Sequence, residues 1–194
     1  MSIDRQIDGM NIAELKAELE KLHSSSFGWA LSCCRRDPDL AEEVLQTVYL
    51  KILEGKAVYR VESSIKTWLF SVIRKTAISE YRKRLLLFKR FTSDEEKAER
   101  SSLTAGPAAN FERSEEQSRF QQALAELPGR QREALHLVFY EDISLREAAD
   151  VMGISIGSAR THYERGKKHL RESLGQSEIV YGIGWRGKEN PGAV

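Results

Sequence analysis

The chain has 194 residues, of which 41% are hydrophobic and 30% are charged, so it can bury one medium hydrophobic core or two small ones. Its formal net charge is only +1, which argues against a surface coated evenly with positive charge for nucleic acid. No apolar stretch approaches the length that spans a bilayer, and the first ten residues lack the apolar centre of a signal peptide, so we expect a cytoplasmic protein.

Opposite charges are gathered in separate parts of the chain. Residues 74–90 contain seven basic side chains and one acidic one, whereas residues 37–54 contain five acidic side chains and one basic one. A basic patch suits a polyanionic partner such as nucleic acid, and an acidic patch suits a partner of another kind. The sequence therefore predicts two different partners for these two segments.

The residue types that carry catalysis or bind metals do not form a usable pattern. The only cysteines are the adjacent Cys33 and Cys34, and with His23 as the nearest further candidate they do not make a tetrahedral zinc set. The sequence has no histidine pair at metal spacing, no phosphate-binding glycine loop and no recognisable Ser-His-Asp setting. We therefore expect no catalytic residues, no metal and no cofactor. The cysteines are expected to be ordinary helix residues, with a redox role as the alternative.

Apolar residues spaced three and four positions apart predict four amphipathic helices before the chain becomes acidic. The first three cover residues 11–22, 27–34 and 39–54. A loop over residues 58–64 then precedes the long fourth helix, which begins at Ile65. The third helix carries the acidic patch, and its outward side is interpreted most simply as a solvated surface.

The fourth helix combines basic and aromatic side chains. Arg74 and Arg82 are expected on its outer side, while Thr76 belongs to the apolar side that faces the core. Basic side chains interleaved with aromatic ones, such as Tyr81, suit a surface that holds phosphates and receives unstacked bases. The equally good alternative is that the aromatic side chains lie in the core and the cations are simply solvated.

Residues 91–118 differ from the helical segments on both sides. They contain seven acidic residues against three basic ones around a centre rich in serine, alanine and glycine, which is typical of a flexible linker. We therefore predict two small helical domains over residues 1–90 and 118–175, joined by an acidic linker over residues 91–117. The tail over residues 176–194 is expected to be poorly ordered.

The second domain contains the pattern of a helix-turn-helix. Ser144 and Glu147 have the spacing of a capping box that starts one helix. Gly153 followed by Ser155 indicates a tight turn and a second helix start. The basic residues expected on the outer face of that second helix are Arg160, His162, Arg165, Lys167 and Lys168. Such a helix fits the major groove of DNA, although a helical hairpin with a solvated basic face is the alternative.

Four motifs, in the same order along the chain, resemble those of one protein family. Residues 39–51 (DLAEEVLQTVYLK) and 67–78 (TWLFSVIRKTAI) are similar to its A-E-D-L-V-Q-E-V-F-L and W-L-Y-R-I-A-R-N-x-A-I helices. Residues 127–133 (LPGRQRE) match its L-P-x-R-Q-R-E motif, and residues 154–162 (ISIGSARTH) stand where it has I-S-x-G-T-V-K-S-R. The family is the minimal, extracytoplasmic-function (ECF) group of bacterial sigma factors, in the sigma-70 superfamily. The similarity covers roughly residues 27–174.

The resemblance implies an all-α fold and a promoter-specificity subunit of RNA polymerase that has no catalytic activity of its own. The implied partners are promoter DNA, an anti-sigma factor and the polymerase core, through the clamp coiled coil of its largest subunit and through its flap. No small-molecule substrate is implied. The protein would recognise the −35 and −10 promoter elements and help to open the DNA. The alternative is a stand-alone helix-turn-helix regulator, which would need a dimerisation surface and would bind duplex DNA without polymerase.

The resemblance also implies three groups of site residues. The third helix would dock on the polymerase clamp through Glu42, Gln46, Val48 and Lys51. The fourth helix would hold the −10 element through Arg74, Lys75, Thr76, Tyr81, Arg82 and Arg84. The second helix of the helix-turn-helix would read the −35 element through Ser155, Ser158, Arg160, His162, Arg165 and Lys167. Thr76 stands where the family usually has asparagine beside the strand-opening loop, a departure that concerns the recognition of a flipped base. His162 replaces an arginine, which removes a permanent charge and a bidentate donor, so the preferred promoter sequence is expected to differ.

Overall fold

A computed structural model describes residues 12–91 and 115–174 of the chain. Every regular element in these two stretches is helical, which confirms the predicted all-α fold. The elements are α1 (Ile12–Lys21), α2 (His23–Cys33), α3 (Pro38–Leu53), α4 (Ile65–Phe91), α5 (Glu115–Glu126), α6 (Gly129–Leu135), a π-helical turn (His136–Tyr140), α7 (Leu145–Met152) and α8 (Ile156–Leu174). Most of the predicted linker and the whole of the predicted tail lie outside the described residues.

Helix α3 begins where the sequence supplies an N-cap. The side chain of Asp37 accepts a hydrogen bond at 3.0 Å from a backbone amide of the first turn, and Pro38 occupies the first helical position, where no amide is needed. The apolar stripe of the helix then faces the core, and Val48 near its centre is fully buried. The helix ends at Leu53, one residue before the end predicted from the sequence, and Gly55 follows with a φ of 71°, which suits glycine.

Helix α2 is fixed on α4 by a buried tryptophan. Nε1 of Trp29 donates a hydrogen bond to the backbone carbonyl of Phe70 at 3.0 Å, and the two rings stack with their centroids 5.9 Å apart. Trp29 is fully buried, so its one polar atom has to be satisfied inside the protein. Because α2 also packs against α3, the three helices form one unit around this side chain.

The predicted helix-turn-helix is present in α7 and α8. The Ser144 hydroxyl accepts from the amide of Glu147 at 3.2 Å, and the Glu147 carboxylate accepts from the Ser144 amide at 2.9 Å, which completes the capping box. Gly153 ends α7 in the left-handed conformation with a φ of 64°. The Ser155 hydroxyl accepts from the amide of Ser158 at 3.2 Å and so caps the start of α8. These local predictions are confirmed.

A glycine in α8, Gly166, allows this helix to lie close to α6. A Cβ atom placed on Gly166 would lie 2.9 Å from Cδ1 of Leu135 and 3.3 Å from Cβ of Gln131. Leu135 is 1% exposed and therefore has little room to move aside. Helix α8 can approach α6 this closely only because position 166 carries no side chain.

The two domains pack directly against each other in this structure. Helix α4 lies along α7, and α2 reaches α6 and the π-helical turn. Buried apolar residues of both domains belong to one cluster, which includes Ile73 from α4, Leu137 from the π-helical turn and Val151 from α7. The sequence does not predict this contact, because the apolar face on each side is indistinguishable from part of a separate domain core.

Candidate nucleic-acid and partner interfaces

The outer face of α8 carries exposed basic side chains. Arg160 and Arg165 are exposed, and Lys168 extends the basic face toward the end of the helix. Ser155 and Ser158 are exposed at its beginning, with their hydroxyl oxygens 2.9 Å apart. Hydroxyl groups and helix N-terminal amides suit a phosphate, and arginine suits the acceptor edge of guanine. This face can therefore bind both the backbone and the base edges of duplex DNA.

Two predicted contacts on α8 are less available. Lys167 is expected on the outer face, but only 15% of its side chain is exposed. Its Nζ lies 2.8 Å from Oε1 of Glu164 and 4.6 Å from the ring centroid of Tyr163. The expectation is corrected because the Tyr163 ring, which packs toward the core, holds the ammonium group against the side of the helix. His162 is half-buried.

Four of the predicted −10 contacts are exposed on α4. They are Lys75, Tyr81, Arg82 and Arg84. The guanidinium of Arg35 lies 5.3 Å from the ring centroid of Tyr81, and Arg84 forms an exposed ion pair with Glu43. Because exposed ion pairs contribute roughly 0–1 kcal/mol, a phosphate can compete with Glu43 for Arg84.

Arg74, in contrast, is buried against the C-terminal domain. Its Nε lies 3.2 Å from Oε1 of Glu133 in α6, and 8% of its side chain is exposed. The predicted outward position of Arg74 is wrong for a geometric reason. Lys66, Phe70 and Arg74 are spaced four residues apart, so they share a second inward face of α4, next to the face that fills the core of the N-terminal domain.

Thr76 and Lys51, assigned by resemblance to DNA and to polymerase, bind each other in the structure. Nζ of Lys51 donates to Oγ1 of Thr76 at 3.0 Å, and Thr76 is 2% exposed. Val48, also assigned to polymerase, is fully buried because it lies one helical turn from Val44 and Ile52 in the apolar stripe. The direct contact expected of Val48 is corrected to a supporting role beneath the surface.

The outer face of α3 is partly acidic and partly apolar. Glu42 and Gln46 are exposed, and Nε2 of Gln46 donates to Oε1 of Glu42 at 3.4 Å. Leu50 and Leu53 are 58% and 66% exposed. These two leucines were not predicted as contact residues, because Leu53 fits the apolar period of the helix and so resembles a core residue. The sequence does contain a signal for them: the apolar stripe that faces the core is already complete without these leucines, which leaves both for a partner.

Charged residues link the two domains at one end of their contact. Nζ of Lys66 lies 3.0 Å from Oε2 of Glu141 and donates to the Glu141 carbonyl at 2.6 Å. Nε2 of His136 lies 3.4 Å from the other carboxylate oxygen. Burial alone would raise the pKa of Glu141, but the neighbouring side chains of His136 and Lys66 outweigh it and lower that pKa. No local sequence signal marks these residues, because they pair only when the domains meet.

Glu147 also takes part in the contact between the domains. The Thr67 hydroxyl donates to Oε1 of Glu147 at 3.1 Å, and Thr67 is 2% exposed. The backbone amide of Ser144 is the main cause that lowers the pKa of Glu147; burial opposes it, and nearby hydroxyls support it. The ionised carboxylate therefore serves both as the cap of α7 and as an acceptor across the domain boundary.

The two cysteines lie in a setting that suppresses thiolate chemistry. Burial raises the pKa of Cys33 well above its ordinary value and raises that of Cys34 to about 12. Within residues 12–91 and 115–174, no group of three or more His, Cys, Asp or Glu residues is placed to hold a metal ion. In the same two stretches, no helix combines the length and apolar character needed to cross a membrane.

Comparison with known protein families gives two matches, one in each domain. The model of sigma-70 region 2 matches residues 20–85, and that of sigma-70 region 4 matches residues 117–170. The ECF RNA polymerase sigma factor EcfG of Rhodopseudomonas palustris (strain TIE-1) is 30% identical over 136 residues, which are 70% of this chain and 72% of that protein. The RNA polymerase sigma factor YlaC of Bacillus subtilis (strain 168) is 26% identical over 140 residues, 72% and 80% of the two chains.

Solved structures share the same arrangement of helices. The sigma factor RpoE from Bartonella quintana, solved in complex with the anti-sigma factor NepR, is similar with a TM-score of 0.64 and 26% identity, over 84% of this chain and 98% of that one. CnrH, solved in complex with the cytosolic domain of CnrY, has a TM-score of 0.58 and 17% identity over 88% and 94% of the two chains. At this level of sequence identity, the likeness to CnrH shows the fold alone.

Proposed function

The chain belongs to the ECF family of RNA polymerase sigma factors, and on that premise we propose how its surfaces divide the recognition of a promoter. It is a promoter-recognition subunit that works with RNA polymerase. The observation that carries the proposal is that three exposed faces of different chemical character lie on three separate helices, α3, α4 and α8. Each face suits one part of the task.

The outer face of α3 is the proposed docking surface for the clamp coiled coil of the largest polymerase subunit. Glu42 and Gln46 supply polar contacts, and Leu50 and Leu53 supply apolar area that a partner would remove from water. Lys51 lies at the edge of this face and ties it to α4. An acidic and apolar surface does not attract DNA, so it leaves this side of the domain free for a protein.

The exposed part of α4 is the proposed −10 surface. Lys75, Arg82 and Arg84 would hold phosphates, and Tyr81 offers a half-exposed ring on which an unstacked base can lie. Arg74 belongs to this group only after the C-terminal domain has moved, because Glu133 now occupies its guanidinium. Thr76 would position Lys51 and α3 rather than contact a base while it stays buried.

The outer face of α8 is the proposed −35 surface. Arg160 and Arg165 are the main candidates for base contacts, and Ser155 and Ser158 for phosphate contacts. His162 and Lys167 would act at the flanks of this surface. The C-terminal domain would also dock on the polymerase flap. Since the similar RpoE was solved with an anti-sigma factor, we propose that such a factor restrains this chain as well, and that the chain acts in the cytoplasm without catalytic activity of its own.

Transcription in vitro tests this function. Polymerase core and the full chain, mixed with a library of genomic fragments, should start RNA at one set of promoters that share a −35 and a −10 element. Neither component alone should give these start sites. If the mixture never initiates while the chain alone protects duplex sites from cleavage, the stand-alone regulator is the correct function instead.

Paired variants of α8 sharpen that test. Arg160→Ala with Arg165→Ala should abolish selective initiation, at a cost of about 1–3 kcal/mol for each arginine that contacts a base, while polymerase binding is retained. Arg171→Ala, which removes an arginine from the far end of the same helix, is the matched control and should initiate normally. Unchanged promoter selection by the double variant would remove both arginines from the −35 surface.

A further inference from the structure

Two arginines lie in the turn between α2 and α3, which covers residues 34–37 and is called the arginine turn below. The side chains of Arg35 and Arg36 are both exposed. The guanidinium of Arg35 lies over the ring of Tyr81, 5.3 Å from its centroid. The arginine turn therefore adjoins the exposed part of α4, where Tyr81 belongs to the proposed −10 surface.

The backbone of the arginine turn is strained. Arg35 and Arg36 have φ angles of 55° and 66°, so both lie in the left-handed region that residues other than glycine and asparagine rarely adopt. The amide of Arg36 donates to the carbonyl of Leu31 at 2.8 Å, which closes the end of α2. Glycine would form the same turn with less strain, so the fold alone does not require arginine at either position.

Neither arginine is neutralised by the chain. Within the described residues, no carboxylate forms an ion pair with Arg35 or Arg36. Two carboxylates close to the turn already have other partners, because that of Asp37 caps α3 and that of Glu43 pairs with a basic side chain of α4. Both guanidinium groups are thus available to an anion from outside the chain.

A third arginine adds positive charge beside the turn. Burial is the main cause that lowers the pKa of Arg132 in α6, and the charges of Arg35 and Arg36 lower it further. The carboxylate of Glu133 acts in the opposite direction, but its effect is smaller than that of Arg35. A bound anion would relieve this repulsion between like charges.

We propose that the arginine turn is a binding site for backbone phosphates of promoter DNA, next to the nucleotide whose base lies on Tyr81. This inference rests on the proposed function of Tyr81 and α4. A guanidinium group that packs on an aromatic ring can still donate two parallel hydrogen bonds to a phosphate. Phosphate contacts fix the register of a protein on DNA without reading its sequence. The arginine turn would therefore add affinity at the −10 element rather than sequence preference.

The salt dependence of DNA binding by the full chain tests this site. The variant Arg35→Asn with Arg36→Asn removes both charges, and asparagine accepts the left-handed conformation more readily than arginine. Binding of a fluorescein-labelled single-stranded DNA of random sequence should weaken. The slope of log affinity against log salt concentration should become shallower by about 1.4, since each phosphate contact on a single strand contributes about 0.7. The melting temperature should stay the same or rise.

Two further variants separate the position of the charges from their number. Lys16→Ala with Lys21→Ala removes two positive charges from exposed positions of α1 and should keep the wild-type slope. Arg35→Lys with Arg36→Lys keeps both charges in the arginine turn and should also keep it, because a point charge can hold a phosphate. A wild-type slope in the asparagine variant would overturn the proposal, and so would an equal loss of slope in the α1 variant.

Chemical modification of the wild-type chain requires no substitution. Phenylglyoxal reacts with exposed arginines, and the same single-stranded DNA should protect Arg35 and Arg36 from it. At about ten times the dissociation constant, about nine-tenths of the chain is bound, so both rates should fall about tenfold. Salt of the same ionic strength should give no such protection. Unchanged rates in the presence of bound DNA would overturn the proposal.

Polymerase core mixed with the full chain extends the test to promoters. The asparagine variant should initiate at the same promoters as wild type, but its complexes should dissociate at lower salt. A changed set of promoters would overturn the assignment to phosphates, because such contacts carry no sequence preference. Absence of any selected promoter would instead reject the proposed function, and the free-chain measurements would still decide whether the arginine turn binds phosphates.

Discussion

At the scale of single residues, the addition of one methyl group at Gly166 is expected to disturb the packing of two helices. Its missing side chain allows α8 to lie against Leu135. Gly166→Ala should therefore destabilise the protein by about 1–3 kcal/mol, the usual cost of overpacking, although alanine is the better helix former. Urea unfolding of both proteins measures the difference.

Gly157 offers the control on the same helix. A Cβ there meets only a serine hydroxyl oxygen at 4.0 Å. Gly157→Ala should stabilise the protein by about 0.5–1 kcal/mol, because alanine loses less backbone freedom on folding. Equal effects of the two substitutions would mean that the close approach of α8 to α6 does not constrain position 166.

Glu147 gives a prediction about pH. Its pKa in the folded protein is lower than the ordinary value of 4.5. The carboxylate therefore stabilises the fold at any pH above that ordinary value, and this contribution is lost as the pH falls through the lower, folded pKa. The difference in free energy of unfolding between wild type and Glu147→Gln should be largest at neutral pH and should shrink on acidification. Urea unfolding over that range measures it.

Glu126→Gln is the comparison for this experiment, since Glu126 is an exposed residue of α5 that accepts a hydrogen bond only from Gln122 among the contacts of the described residues. It should differ little from wild type at every pH. A difference for Glu147→Gln that stayed constant, or grew, as the pH fell would contradict the assigned role of its charge.

At the scale of helices, α3 combines a buried stripe with an exposed apolar end. Leu50→Ser with Leu53→Ser should weaken binding to polymerase core about tenfold or more, because each leucine covered by a partner contributes about 1.5–3 kcal/mol. Both side chains are already in water, so thermal stability should change little. A titration of labelled chain with polymerase core measures the affinity.

Val58→Ser is the control for that change. Val58 is also an exposed apolar residue, at 47%, but it lies in the loop before α4. Its replacement should leave polymerase binding unchanged. If the two leucine substitutions also left binding unchanged, the docking surface proposed on α3 would be in the wrong place.

At this scale, the sequence predicted the helix starts and turns that depend only on neighbouring residues. The capping box at Ser144 and the turn at Gly153 are each built from neighbours in the chain, and both are present. Arg74 was misplaced because its partner, Glu133, lies in another domain. Val48 fits both the apolar spacing of a core residue and the family motif that suggested a contact with polymerase. The structure buries it completely, as the apolar spacing indicates.

At the scale of the whole molecule, shared burial should make the two domains unfold together. Because one apolar cluster runs through both, the wild-type chain should give a single thermal transition in calorimetry. Glu133→Gln with Glu141→Gln removes two of the charged contacts and should separate that transition into two. The exposed pair Glu126→Gln with Glu172→Gln should retain one transition. Two transitions in the wild type would mean that the domains are energetically independent.

The two oxygens of Glu147 have separate tasks: Oε2 accepts from Ser144, and Oε1 accepts from Thr67. When the domains part, only Oε1 loses its partner, and water can replace it, while α7 keeps its N-terminal hydrogen bonds. The helix-turn-helix therefore needs no refolding when the domains separate. Their separation should be as fast as an ordinary rigid-body motion, on the order of microseconds to milliseconds, so the waiting time before a promoter is engaged would be set by encounter rather than by folding.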